Sequence, residues 1–194
     1  MSRTTLRELN GFDDTPAKLA DSTLILIDFQ NTYTQGVMEL DGWEASLDAA
    51  AQLLARARQE GTKVVHVVND GGEGTPYDIR AEIGAIHSRL APAEGEAVVV
   101  KQVPNAFVDT DLGEHVPEGQ DVVIAGWMTH MCVAFTAQGA FLRGNRPTVV
   151  ADATATRSLP VTGADLDACQ VHYSALATIA DLYGVVVPSH KELI

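Results

Sequence analysis

Six short apolar runs punctuate the chain: "TLILIDF" (23–29), "KVVHVV" (63–68), "AVVVK" (97–101), "DVVIAG" (121–126), "PTVVAD" (147–152) and "GVVVP" (184–188). They are rich in Val and Ile and bounded by Gly, Pro or Asp. Such runs predict strands covered on both faces, the habit of a parallel sheet. Between them the apolar period lengthens to three or four. Trp43, Leu47, Ala50, Leu54 and Ala57 share one face of a predicted helix that Gly61 ends. Leu166, Cys169, Tyr173, Leu176, Ala180 and Tyr183 do the same ahead of Gly184, which makes Cys169 a core-packing residue. Residues 131–143 read as a further helix, stopped by Gly144.

Strands alternating with helices predict an α/β sheet with helices on both faces, formed by one domain over 1–194. Residues 1–20 are polar and predict an N-terminal arm. The longest insertion, 69–96, opens with "NDGGEGTPYD" and carries a short predicted helix near 79–90. Its glycines match neither G-x-G-x-x-G nor G-x-x-x-x-G-K-S/T, so a lid or rim loop is expected rather than a phosphate cradle.

Charge narrows the function. With 26 acidic against 13 basic residues the net charge is −13, the wrong sign for displacing counterions from nucleic acid. No apolar run reaches the ~20 residues of a membrane helix, and "MSRTTLRELNGFDD" lacks a signal-peptide core. A cytoplasmic protein with a small-molecule substrate, and neither nucleic-acid nor membrane partner, is the expectation. Two cysteines make no disulfide framework.

In open α/β sheets the ligand crevice lies beyond the carboxyl ends of the strands. That rule selects Asp28 at the end of the first strand, Lys101 at the end of the third, and Cys132 shortly after the fourth. A thiol at a helix start meets unpaired N–H groups and the positive end of the helix dipole, which lower its pKa. A nearby ammonium would lower it further, and a carboxylate could take its proton. Reaching one neighbouring strand, about 4.8 Å away, is within the range of a lysine side chain. Sequence alone leaves open whether the three meet, and a small buried cysteine at a strand–helix junction remains the plainer alternative. Asp152, after the fifth strand, reads as a cap.

Three motifs in register go further. "LILIDFQNTY" (24–33), "VVVKQVPNAFVDTDL" (98–112) and "IAGWMTHMCVAFTAQGAFLRG" (124–144) resemble the isochorismatase-like cysteine hydrolases over residues 22–188. The resemblance implies a three-layer αβα doubly wound fold, mostly parallel, with six strands in the order 3-2-1-4-5-6. It also implies a triad of Asp28, Lys101 and Cys132. A cis peptide at Trp127–Met128 would turn the Met128 N–H toward that of Cys132, making an oxyanion hole. Gln30, Asn105, Phe107, Trp127 and His130 become candidates for touching substrate, His130 equally for contact with a neighbouring subunit. Relatives form dimers or larger rings, so a homo-oligomer is expected.

Nicotinamidases of this family carry an Asp/His metal cluster after the second strand. Here Asp70 has no suitably spaced partner, since His66 lies inside the strand and His87 is 17 residues on. Neither metal nor other cofactor is therefore expected. The expected reaction is hydrolysis of a C–N bond in a small amide, imide or ureido compound through a Cys132 thioester, with Asp28 as acid and base and Lys101 as electrostatic support. The alternatives are an isochorismatase-type vinyl ether hydrolase using Asp28 as general acid, a flavodoxin-like binding module, and a scaffold with a vestigial triad.

Overall fold

A computed structural model describes residues 4–194. Its central sheet is built from β1 (Thr23–Ile27), β2 (Lys63–Asn69), β3 (Ala97–Lys101), β4 (Asp121–Trp127), β5 (Arg146–Ala155) and a last short strand. Two further strands, β6 (Leu159–Val161) and β7 (Ala164–Leu166), form a separate antiparallel hairpin, so the last sheet strand is β8 (Val185–Val187). The sheet order is β3-β2-β1-β4-β5-β8, every pair parallel. This is the doubly wound order expected, and the direction of winding reverses between β1 and β4.

Side chains of β1 alternate between two cores. Leu24 and Leu26 join Leu47, Leu53, Leu54 and Trp127 on one face. Ile25 and Ile27 join Val65, Ile124, Val133 and Ala137 on the other. All five residues of β1 are buried, which is why the run shows no alternation in sequence. The first core is roofed by α2 (Trp43–Glu60), closed at Gly61 with φ 74°. The second is roofed by α4 (Ala134–Leu142). The remaining helices are α1 (Leu6–Asn10), α3 (Leu112–His115) and α5 (Ala168–Thr178).

Four sequence expectations change. The arm is not free: Ala17 and Leu19 are buried, and the Leu6 N–H donates to the Asp181 carboxylate. The helix near 79–90 is two 3₁₀ turns, Glu82–Gly84 and Ser88–Leu90. Helix 131–143 begins instead as a π-turn, Thr129–Val133, before α4. On α5 the packed stripe is Val171, Ala175 and Leu176, continued by Ile179 in the π-turn Ile179–Tyr183. The stripe through Cys169 and Tyr173 is exposed. Two apolar stripes compete on that helix, and periodicity cannot say which one meets the sheet.

Candidate active site

The carboxyl ends of β1, β3 and β4 converge. Asp28 follows β1 directly, its N–H still in the ladder to the Val67 carbonyl at 2.8 Å. Its φ of 53° is left-handed, a conformation that Asp tolerates better than most residues. The Gln30 N–H then closes a tight turn onto the Asp28 carbonyl at 2.7 Å, leaving the carboxylate fully buried.

Lys101 reaches that carboxylate from two strands away. Its side chain passes the end of β2, where the ammonium donates to Asn69 Oδ1 at 3.3 Å. It continues to Asp28 Oδ2 at 2.7 Å and to Cys132 Sγ at 3.3 Å. The one-strand reach expected from sequence was too modest, because β2 intervenes between β3 and β1. Asn69 was missed from sequence; its place at the end of β2, paired with Lys101, was the available signal.

Cys132 sits in the π-turn, where the Val133 N–H reaches back five residues to the Met128 carbonyl at 3.2 Å. Single π-turns frequently occur at functional sites. The Trp127–Met128 peptide is cis. Among the trio, Cys132 alone keeps slight exposure, 6%. Anything reaching the three must arrive over the sulfur.

The electrostatics differ from the expectation of a lowered thiol pKa. Burial pushes the Cys132 thiol up to about 12, the Asp28 charge adds to this, and Lys101 opposes both. Asp28 is also raised, by burial, against the pull of Lys101. For Lys101 burial is outweighed by Asp28 and Cys132, which hold the ammonium charged. The reason is charge balance. One buried cation can compensate one anion, and a second would stand unpaid in low dielectric. Charge balance thus favours a single anion beside the ammonium over two.

The other sequence candidates separate. Met128 is buried beside the sulfur-bearing turn. Gln30 is wholly buried and its amide is committed to backbone: Nε2 donates to the Asn69 and Gly84 carbonyls, and Oε1 accepts from the Asn69 N–H. It braces the turn after β1 against the end of β2. Trp127 is a core residue, its indole N–H donating to Ser46 Oγ at 2.8 Å and its ring set edge-on to Phe29. Asn105 lies against Gly139 and accepts the Phe107 N–H. Phe107 lies under the Arg143 guanidinium, 5.0 Å from ring centre. Both lie beside the helix that follows Cys132, and Phe107 packs against the apolar cluster that includes Cys132.

His130, half-buried in the same π-turn as Cys132, has its Nδ1 2.6 Å from Thr156 Oγ1. Tyr33 and Tyr77 were missed. Their rings meet edge-on with centroids 5.8 Å apart, and Tyr77 lies within electrostatic reach of both Cys132 and Asp28. The loop bearing Tyr77 is fastened: Asp78 accepts from the Gly74 and Arg80 N–H groups, and Tyr77 O from the Gly71 N–H. Asp70 accepts from the Gly72 N–H, His66 meets Glu96, and His87 caps Ser88–Leu90. No cluster of three or more His, Cys, Asp or Glu is arranged for a metal ion among the described residues.

The Isochorismatase domain model matches residues 22–189. The chain belongs to the isochorismatase family. It is a hydrolase of that family by both sequence and fold. A crystal structure of an isochorismatase from Pseudomonas putida KT2440 superposes with TM-score 0.93 at 36% identity, covering 100% of each chain. The secreted isochorismatase effector Isc1 of Verticillium dahliae is 36% identical over 94% of this chain and 96% of its own. The maleamate amidohydrolase of Pseudomonas putida is 33% identical over 76% of this chain and 75% of its own. Among the described residues no helix is long and apolar enough to cross a membrane. The secreted relative means that family membership does not carry the cytoplasmic expectation.

Proposed function

We propose that the protein hydrolyses a C–N bond in a small amide, imide or ureido substrate, with Cys132 as nucleophile. The observation behind this is one ammonium touching both a carboxylate and a thiol, Lys101 Nζ at 2.7 Å from Asp28 and 3.3 Å from Cys132. An ammonium in that place keeps the site electrically neutral while the Cys132 proton passes to Asp28. The thiolate exists only as sulfur attacks the carbonyl carbon, and negative charge moves to the carbonyl oxygen. The N–H groups of Met128 and Cys132 take up that charge. Protonated Asp28 then delivers its proton to the departing nitrogen, leaving a thioester. Water, deprotonated by Asp28, attacks the thioester, and Cys132 recovers its proton as it leaves. The relative named maleamate amidohydrolase supports acyl chemistry at an amide.

The upward shift of Asp28 favours one rival, in which the buried carboxyl acts as general acid on a vinyl ether. The two part at the sulfur. Substrate trapped by acid quench should leave a thioester on Cys132, detectable by mass, and Cys132→Ala should lose turnover by at least ~10³-fold. A variant that kept full activity would leave only the ether reading. A homo-oligomer belongs to the same proposal, supported by exposed Phe135, Leu142 and Tyr173.

A further inference from the structure

The contact between Lys101 and Cys132 sets an amine nitrogen 3.3 Å from a thiol sulfur, from positions 31 residues apart in the chain. A thiol so placed has a second chemistry open to it. Oxidised by one oxygen atom, a cysteine becomes a sulfenic acid, whose sulfur a nearby nitrogen can capture as a sulfenamide. Left uncaptured, it goes on to sulfinic and sulfonic acids, which thiols do not reduce.

Exposure decides which atom an oxidant meets. Cys132 keeps 6% of its surface, Lys101 1% and Asp28 none. A small neutral hydroperoxide can touch the sulfur, while the amine is closed off from solvent. Asp28 Oδ2, 2.7 Å from the Lys101 nitrogen, can take the proton that the ammonium must shed before its lone pair is free. Burial favours the neutral form of that carboxyl. Asn69 Oδ1, 3.3 Å away at the end of β2, holds the same nitrogen in place.

We propose that Cys132 and Lys101 form an oxidative cross-linking site, closed as a sulfenamide by hydrogen peroxide and reopened by thiols. In the first step the sulfur attacks a peroxide oxygen, the O–O bond breaks, and the thiol proton leaves with the hydroxide as water. In the second, Lys101 passes one proton to Asp28 and its freed lone pair attacks the sulfur. The S–O bond breaks, and the departing hydroxide takes a second proton from the nitrogen. Sulfur is oxidised, one peroxide is reduced, and two waters leave. The product replaces a buried ion pair with two uncharged groups, a sulfenamide and a carboxylic acid, so no charge is stranded in the interior. A dithiol reverses the link by attacking the sulfur, and Asp28 returns its proton to the amine. This chemistry lies outside hydrolysis and holds whatever substrate Cys132 takes.

A tryptic digest reads the link directly. Lys101 is the sole lysine or arginine between Arg89 and Arg143, and Cys169→Ser leaves Cys132 as the one cysteine. That protein, treated with a small excess of hydrogen peroxide, then iodoacetamide, and digested without reductant, should yield residues 90–143 uncut. The peptide should be about 2 Da lighter than its reduced sequence. Dithiothreitol before the iodoacetamide should restore both cleavage at Lys101 and alkylation of Cys132. Lys101→Arg keeps a cation but offers a poor nucleophile, so in it Cys132 should instead gain two oxygens that dithiothreitol does not remove. Asp28→Asn should slow linking by at least about tenfold. With Lys101 present, a Cys132 that peroxide leaves unchanged, or that appears only as sulfinic acid while Lys101 is cut normally, overturns the proposal. So does a Cys132 peptide 2 Da lighter with Lys101 still cut, which would place the link on a backbone nitrogen.

Discussion

Asp28, Lys101 and Cys132 share one positive charge, and removing it exposes what it compensates. Lys101→Met leaves a buried carboxyl beside a buried thiol, and breaking such a pair typically costs about 3–5 kcal/mol. Urea unfolding at pH 7 should show that loss, and Asp28→Asn added to Lys101→Met should restore most of it. A double variant as weak as the single one would mean that lysine packing, not charge, matters. The thiol supplies a pH signature. With Cys132 pushed up to about 12, its alkylation by iodoacetamide should climb about tenfold per unit from pH 7 to 10 without levelling. A plateau near pH 7 would mean that a standing thiolate exists. At this scale the sequence was legible where a residue type and a strand end coincide, as at Asp28 and Lys101. It was not legible where the direction of a side chain decides, as at Gln30 and Trp127, which sit beside the site but turn into backbone and core.

Elements are tied to one another at a few polar points inside apolar contacts. Ser46 on α2 takes the indole N–H of Trp127, so Ser46→Ala buries an unsatisfied donor at the end of β4, at a cost of about 1–3 kcal/mol. Denaturant titration monitored by tryptophan fluorescence would measure it. Glu96 joins α2 to β2, accepting both Nε and Nη2 of Arg58 at 2.8 Å and lying 2.8 Å from His66 Nε2. Arg58, followed by the Ala93 N–H and His66, overcomes partial burial and holds the Glu96 carboxyl down at about 2, from 4.5. A carboxyl depressed on folding stabilises above its unfolded pKa, and that contribution fades as pH falls from 4.5 toward 2. Between pH 5 and 2.5 the urea midpoint of the wild type should therefore fall more steeply than that of Glu96→Gln. Parallel slopes would refute the link. The β6–β7 hairpin escaped sequence reading because "LPVTGADL" holds neither a continuous apolar run nor a strong alternation. The two stripes of α5 were indistinguishable until the sheet chose between them.

For the molecule as a whole, alternation of strands and helices gave the layers, while the strand order came only through resemblance, because which strands are neighbours is a property of non-local pairing. Light scattering at micromolar concentration should give a mass at least twice 20.7 kDa if the exposed apolar side chains are covered by a second copy. A monomeric mass would leave them as ordinary surface.

The ammonium is carried on an outermost strand. β3 has a single neighbour in the sheet, and Val98 and Val100 lie open to solvent on it. Fraying at that border would withdraw the cation while the centre of the sheet stayed whole. On slow heating, catalysis should accordingly fail several degrees before the emission of interior Trp127 reports collapse, and the gap should narrow once anything clamps that outermost strand.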